Sequence, residues 1–458
     1  MKRKNLVVLH LESIAWQAFN AFPEAFPNLN RVMPAARVFR WYFSSATSTQ
    51  MVLAYLFHGN DLELDAATSL SEPAQNNPSL FAILQAAGYR TAFLCVTAWG
   101  GGPMLPLLAG TLPPVWSTND FAELLRKFEA LTAAPPFAIY VWNLVTHIEH
   151  ALALAPHAGG VDDLLGGACA VADHALGSVL DILAARNLMD DTTVVIFGDH
   201  GDDYWTHGFK GGLLHAMEPY THLTHAPLLI RDSSLTAGND NRIASTIDLA
   251  PTCLELLDIP VELRFADSGQ SLLRGAERSC AFSQNFTGNQ PDAPGLDIRK
   301  SFSASDRSHT LLVSSRGLEL FNHRLDPANH CNLLHFFDLD SDGELVLRAP
   351  PANSHPHFAT AMRYLLSNEH TAHDFRRLRN ALRKQIGSKH AYVSARSPAR
   401  IHALDVSCLK SINRYGSDRF FGKSEEAVPA DAAAVPAKPL PARPSVRGIM
   451  NAILRKGR

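Results

Sequence analysis

The sequence predicts an α/β fold: a central, mostly parallel sheet sandwiched by helices, with a small C-terminal antiparallel β subdomain. Three observations predict it. Short apolar or β-branched runs alternate with helical patterns through the first half of the chain, and shorter alternating runs replace them between about 265 and 350. The 458 residues, 46% of them hydrophobic, suffice to bury a large core. Residues 6–9 (LVVL) read as a strand, 80–87 as an amphipathic helix stopped by Gly88, and 91–96 as a second strand. Residues 121–131 then read as helix, 137–144 as a buried strand, 169–186 as a long helix and 192–197 as a strand. Strands separated by helices pair in parallel through right-handed crossovers, which leaves both sheet faces covered.

Later segments differ in texture. Thr310-Leu311-Leu312-Val313 and Leu318-Glu319-Leu320 suggest the small antiparallel sheet. Residues 357–388 read as an amphipathic helix with solvated basic residues. The Pro/Ala-rich stretch 425–444 lacks the composition for a core and reads as a disordered linker. Beyond it, Ile449, Met450, Ile453 and Leu454 share a helical face beside Arg447, Arg455, Lys456 and Arg458, a pattern that fits a frayed tail or a peripheral membrane or partner helix. The expected divisions are a catalytic α/β domain over 1–264, its β subdomain over 265–350, a helical extension over 351–422 and a tail over 423–458.

Several function classes are disfavoured. A net charge of −3 argues against gripping nucleic acid by bulk charge. Six cysteines without a Cys-x-x-Cys pair fit reduced thiols. The start MKRKNLVVLHLES reads as a strand, not a signal peptide, and the apolar stretch 137–145 is far too short to span a bilayer. A soluble, cytoplasmic protein is expected.

Ligands of α/β sheets sit at the carboxyl ends of strands. The first strand delivers His10, Glu12 and Ser13 there, and the strand at 192–197 delivers Gly198-Asp199-His200-Gly201-Asp202-Asp203. With the hydroxyl-rich segment Ser44-Ser45-Ala46-Thr47-Ser48-Thr49, these supply carboxylates, an imidazole and an alkoxide. That mixed oxygen and nitrogen set suits zinc, manganese or magnesium, as one ion or two. A divalent cation makes a threonine hydroxyl nucleophilic at neutral pH. The simpler reading of Ser48 or Thr49 is a cap for a helix beginning near Met51. Asp202 and Asp203 read as supporting or solvated carboxylates, Asp173 as a structural hydrogen-bonding group, and lone histidines such as His150, His207, His222 and His225 as surface or core residues.

The order of these pieces resembles the alkaline phosphatase superfamily, in its sulfatase-like branch, over about residues 5–345. Its other markers are Leu56-Phe57-His58-Gly59, LFAILQAAGYRT (80–91), Ile247-Asp248-Leu249-Ala250-Pro251-Thr252, and Asp326-Pro327 followed by Asn332-Leu333. Phosphoethanolamine transferases, and more loosely phosphoglycerol transferases, are the most similar members, since they use a glutamate ligand and a threonine nucleophile. The resemblance implies Glu12, Thr49, Asp199 and His200 as metal ligands and Thr49 as nucleophile, with Thr47 the alternative. It implies that His147 and His215 hold the phosphoryl group or a second metal, and in the first case polarise its oxygens and protonate the leaving group. Lys210 is a candidate contact for an anionic substrate. Sulfatases use Cys/Ser-x-Pro/Ala-x-Arg, converted to formylglycine, where this chain has Thr49-Gln50-Met51-Val52-Leu53. The expected activity is therefore phosphoryl or substituted-phosphoryl transfer or hydrolysis through a phosphothreonine. Its substrate would be a phosphorylated small molecule, lipid head group or glycan. Sulfuric ester hydrolysis and an inactive phosphoglycan-binding module are the alternatives.

Overall fold

The computed structural model describes residues 3–59, 78–96, 113–143, 146–147, 161–203, 206, 215, 218–260, 269–285, 301–314, 317–340, 345–347 and 370–396. All of them fall within the unit Met1–Phe421. The linker, the basic C-terminal segment and Lys210 lie outside the described residues.

Eight strands form the large sheet: β1 (Asn5–Leu11), β2 (Arg37–Phe43), β3 (Arg90–Val96), β4 (Val115–Thr118), β5 (Phe137–Asn143), β6 (Thr192–Gly198), β7 (Leu228–Arg231) and β8 (Gly238–Ser245). Their order is β4-β3-β5-β1-β6-β7-β2-β8, and β7 alone runs against the rest. The flanking helices include α1 (Thr49–His58), α2 (Leu80–Ala86), α3 (Phe121–Thr132), α4 (Val161–Ala185) and α5 (Leu249–Leu256). Ser79 caps α2 by accepting from Ala82 N, and Asp120 caps α3 by accepting from Ala122 N. The strands β2, β4, β7 and β8 were not among the runs read from the sequence. Only the last three residues of β8 are buried and β4 is a four-residue edge, so neither carries the continuous apolar run of a central strand.

The strand period of two divides the core. Val7, Leu9 and Leu11 of β1 pack with Ile139, Ile196 and the α4 side chains Cys169, Leu176, Val179, Leu180 and Leu183. Leu6 and Val8 pack on the opposite face with Tyr140, Phe197 and the α1 and α5 side chains. Helix α4 begins eight residues before the expected 169. Its stretch Leu165–Ala185 is long and apolar enough, by length and composition alone, to cross a membrane. Here its apolar stripe is covered by the sheet.

A second, antiparallel sheet contains β9 (Ala281–Asn285), β10 (Ser301–Ser305), β11 (His309–Ser314) and β12 (Gly317–Asn322), with a short ladder of β13 (Phe337–Leu339) and β14 (Leu345–Leu347). Helix α6 (Thr371–Arg396) inserts Phe375, Leu378 and Leu382 among Phe302, Leu311 and Leu320. The expected helix at 357–388 thus ends later, and 357–369 lies outside the described residues. Its basic residues are not all solvated: Arg379 is 8% exposed over the Phe375 ring, and Arg377 pairs with Asp306. Helices that cover a sheet must place part of even a charged sequence against it.

Candidate active site

Glu12 leaves the end of β1, Asp199 and His200 leave the neighbouring β6, and Thr49 opens α1 on the same side of the sheet. The segment before α1 is pinned from several directions. Ser45 N donates to Thr246 Oγ1 at 3.1 Å, Gln284 N of β9 donates to Ser45 O at 3.1 Å, and Ser283 Oγ donates to Ser44 O at 2.5 Å. Ser44 and Ser45 are thereby structural. Ser48 occupies the N-cap position without a side-chain capping bond, contrary to the capping expectation, and Gly59 ends the helix in the left-handed region at φ 62°.

Thr49 Oγ1 donates to Glu12 Oε1 at 3.1 Å and lies 3.1 Å from His200 Nε2. His200 Nε2 is 3.2 Å from Asp199 Oδ2. Ser13, at φ 54°, turns its N–H onto Asp199 Oδ1 at 2.9 Å and donates its hydroxyl to Glu12 Oε1 at 3.2 Å. Trp142 Nε1 donates to Glu12 Oε2 at 2.6 Å, and Thr146 Oγ1 donates to the Glu12 carbonyl. Gly201 is required by space: a Cβ there would stand 2.3 Å from the His222 carbonyl.

Beyond His200, His215 Nδ1 donates to Asp202 Oδ1 at 2.8 Å. The His215 ring stacks on His200 at 4.5 Å and meets His147 edge-on at 5.3 Å. Asp203 accepts from His222 Nε2 at 2.9 Å. Asp202 and Asp203 therefore each orient a histidine instead of being solvated. Asp173, as expected, is structural: it accepts from Asn28 N and Leu29 N.

The charges fit a cation. Burial, and then Asp199, raise the Glu12 carboxyl above its usual range. Burial opposes ionisation of Asp199 too, but His200 and His10 overcome it and hold its carboxyl low. Burial lowers His200. Burial also works against protonation of His215, yet Asp202 prevails and brings it up to about 9, so this imidazole is a cation at neutral pH. Asp199 Oδ2, fully buried, has no hydrogen-bond partner among the described residues. Two candidate donor groups adjoin, His10 with Glu12 and Asp199, and His200 with Asp202 and His215. Adjacent buried carboxylates with an orphaned oxygen and imidazole neighbours suit a divalent ion.

The structure thus brings together Glu12, Thr49, Asp199, His200, His147 and His215. Tyr140, Trp142 and the Asp202–His215 bond were not read from the sequence, and His10, placed there at the end of the first strand, was given no role. The alternation His10-x-Glu12 was the one available signal for His10, since residues two apart share a strand face.

The sequence profile of the family described as Sulfatase matches residues 4–259, more than half of the chain. The chain belongs to the sulfatase family. Arylsulfatase K of Rattus norvegicus is 30% identical over 124 residues, which cover 27% of this chain and 21% of the rat protein. Choline-sulfatase of Rhizobium meliloti is 26% identical over 164 residues, 34% of this chain and 31% of that one. The aligned stretches thus span less than a third of either curated relative. An alkaline phosphatase superfamily protein from Vibrio parahaemolyticus has a TM-score of 0.54 at 19% identity, covering 80% of this chain and 87% of its own, and shares the sulfatase-family fold. Sulfatase-family enzymes are metal-dependent, and the described residues of this chain include the candidate donor groups given above. The names of these relatives lean toward sulfuric esters, whereas the likeness to transferases rests on Glu12 and Thr49 alone.

Proposed function

We propose that this sulfatase-family chain cleaves or transfers a phosphoryl or substituted-phosphoryl ester through Thr49. The observation that carries the reading is the Thr49 hydroxyl, 3.1 Å from both Glu12 Oε1 and His200 Nε2 at the first position of α1. A threonine there is no precursor for the formylglycine that the family's Cys/Ser motif supplies. Bound by Glu12, Thr49, Asp199 and His200, a divalent ion such as zinc, manganese or magnesium supplies the Lewis acidity that makes the hydroxyl nucleophilic. Thr49 Oγ1 bonds to phosphorus, its proton has Glu12 as acceptor, and the ester P–O bond opposite breaks. His215 holds the anionic oxygens with His147 and gives a proton to the leaving alkoxide. Water or an acceptor hydroxyl then displaces Thr49. The substrate class is a phosphorylated small molecule, lipid head group or glycan, and the basic C-terminal segment would serve peripheral membrane contact if the donor is a lipid.

Intact-mass analysis tests this with wild type and Thr49→Ala, stripped by chelator, reloaded with zinc or manganese and exposed to aryl phosphate mono- and diesters. A phosphoryl-sized adduct is expected in wild type only, with turnover lower by roughly three orders of magnitude or more in the variant. Equal turnover in both proteins moves the nucleophile to Thr47 or Ser48. The second reading, sulfuric ester hydrolysis, is favoured by the arylsulfatase K and choline-sulfatase relatives. Aryl sulfate turnover together with formylglycine in the peptide 44–50 would establish it instead.

A further inference from the structure

The family resemblance assigns Glu12, Thr49, Asp199 and His200 to the ion and leaves His10 without a role. His10 is 3% exposed and lies on β1 two residues before Glu12, on the α1 side of the sheet. Its cross-strand partners are Trp142 on β5 and Phe197 on β6. Both rings stack on the imidazole, at 5.5 Å and 5.1 Å, with interplanar angles of 4° and 20°. A ring held between two aromatic faces cannot swing out of plane. Its in-plane direction is set by the Tyr140 hydroxyl, 2.9 Å from Nδ1.

The remaining nitrogen, Nε2, is buried and makes no hydrogen bond among the described residues, and it lies at ion-pair distance from two carboxylates, 3.3 Å from Asp199 Oδ1 and 3.5 Å from Glu12 Oε2. These are not the oxygens that face the nucleophile. Thr49 contacts Glu12 through Oε1, and His200 contacts Asp199 through Oδ2. The rear oxygens also accept from Trp142 Nε1 and Ser13 N. The forward oxygens lie toward Thr49 and His200, and Glu12 Oε1 also accepts from Ser13 Oγ.

We propose that His10 is a positioning residue that spans the rear of the two ion-binding carboxylates, holding Glu12 and Asp199 together so that their forward oxygens converge beside Thr49. The inference rests on the metal reading given above. In the tautomer that accepts the Tyr140 hydroxyl at Nδ1, the Nε2–H points between the carboxylates, the arrangement in which an outer imidazole tunes a metal site without binding the ion.

Zinc affinity, measured on the full chain by competition with a chromophoric chelator, compares wild type, His10→Phe and His10→Gln. Phe keeps the stacked ring and removes the N–H, so affinity is expected to fall about 10–100-fold; Gln restores a donor and recovers part of the loss. Anomalous diffraction from zinc-loaded wild-type crystals is expected to show the ion on the Thr49 side, beyond the roughly 2.0–2.1 Å of a zinc–nitrogen bond from His10 Nε2. An ion bonded to that nitrogen, or unchanged affinity in His10→Phe, overturns the proposal. The diffraction arm decides even where the Phe variant does not fold. Wild type that takes up no zinc or manganese at all overturns the metal reading and this inference together, whereas uptake indifferent to His10 overturns the inference alone.

Discussion

His225 and His323 are histidines that burial keeps neutral, against the pull of their own hydrogen bonds to backbone carbonyls. His225 Nε2 donates to the Arg40 carbonyl at 2.9 Å, with its ring against Trp16, Trp41 and Phe43. His323 Nε2 donates to the Asp306 carbonyl at 3.0 Å, which leaves Nδ1 to accept from Thr221 Oγ1 at 2.9 Å. Burial pushes His225 down to about 4 and His323 down to about 3. Both values lie below the ordinary 6.5, so the unfolded chain binds these protons first and stability rises with pH through this window. Their contribution is complete above about pH 6.5 and is lost as pH falls toward 4 and then 3. Urea unfolding of the apoprotein at pH 7.5 and pH 5 should differ by on the order of a few kcal/mol, and His225→Phe should show a smaller difference. An equal pH dependence in both proteins would show that His225 is not a source of the effect. His225 reads as an ordinary core or surface histidine in sequence, because its pairing with Arg40 is set by a segment 185 residues away in the chain.

Helices α4 and α6 illustrate how an element's partner sets its meaning. The apolar length of α4 resembles a membrane span, and the sheet beneath it supplies the apolar partner. In α6, Phe375, fully buried, anchors a highly basic helix on the small sheet, while Arg377 reaches the Ser279 carbonyl and Asp306. Truncating Phe375 to Ala should destabilise the fold by about 3–5 kcal/mol, the scale of deleting a buried aromatic side chain. Thermal or denaturant unfolding checks it; a loss below about 1 kcal/mol would mean that α6 is not an integral part of the core. Sequence periodicity revealed the apolar stripe of this helix but not its register on β10 and β11, which is why its basic face was taken as wholly solvated.

The large sheet brings the ends of β1 and β6 together, and two buried carboxylates with them. A divalent ion that binds the folded chain and not the unfolded one must raise its stability with concentration. Chelator-stripped protein should therefore unfold at a lower temperature, and stepwise zinc or manganese should raise the midpoint in wild type. Glu12→Gln and Asp199→Asn should flatten that rise, and a midpoint equally sensitive to metal in these variants would place the ion elsewhere. The sequence by itself determined the alternation of strands and helices, the acidic and histidine side chains at two strand ends, and the hydroxyl-rich segment that ends at Thr49. Those features are local, since period, composition and short motifs are written in neighbouring residues. Tertiary structure decided which side of Glu12 faces Thr49, why His10 faces the other side, and that Asp202 keeps His215 charged. Each of these depends on distances between strands and loops far apart in the chain, and on burial that only the assembled sheet and its covering helices create.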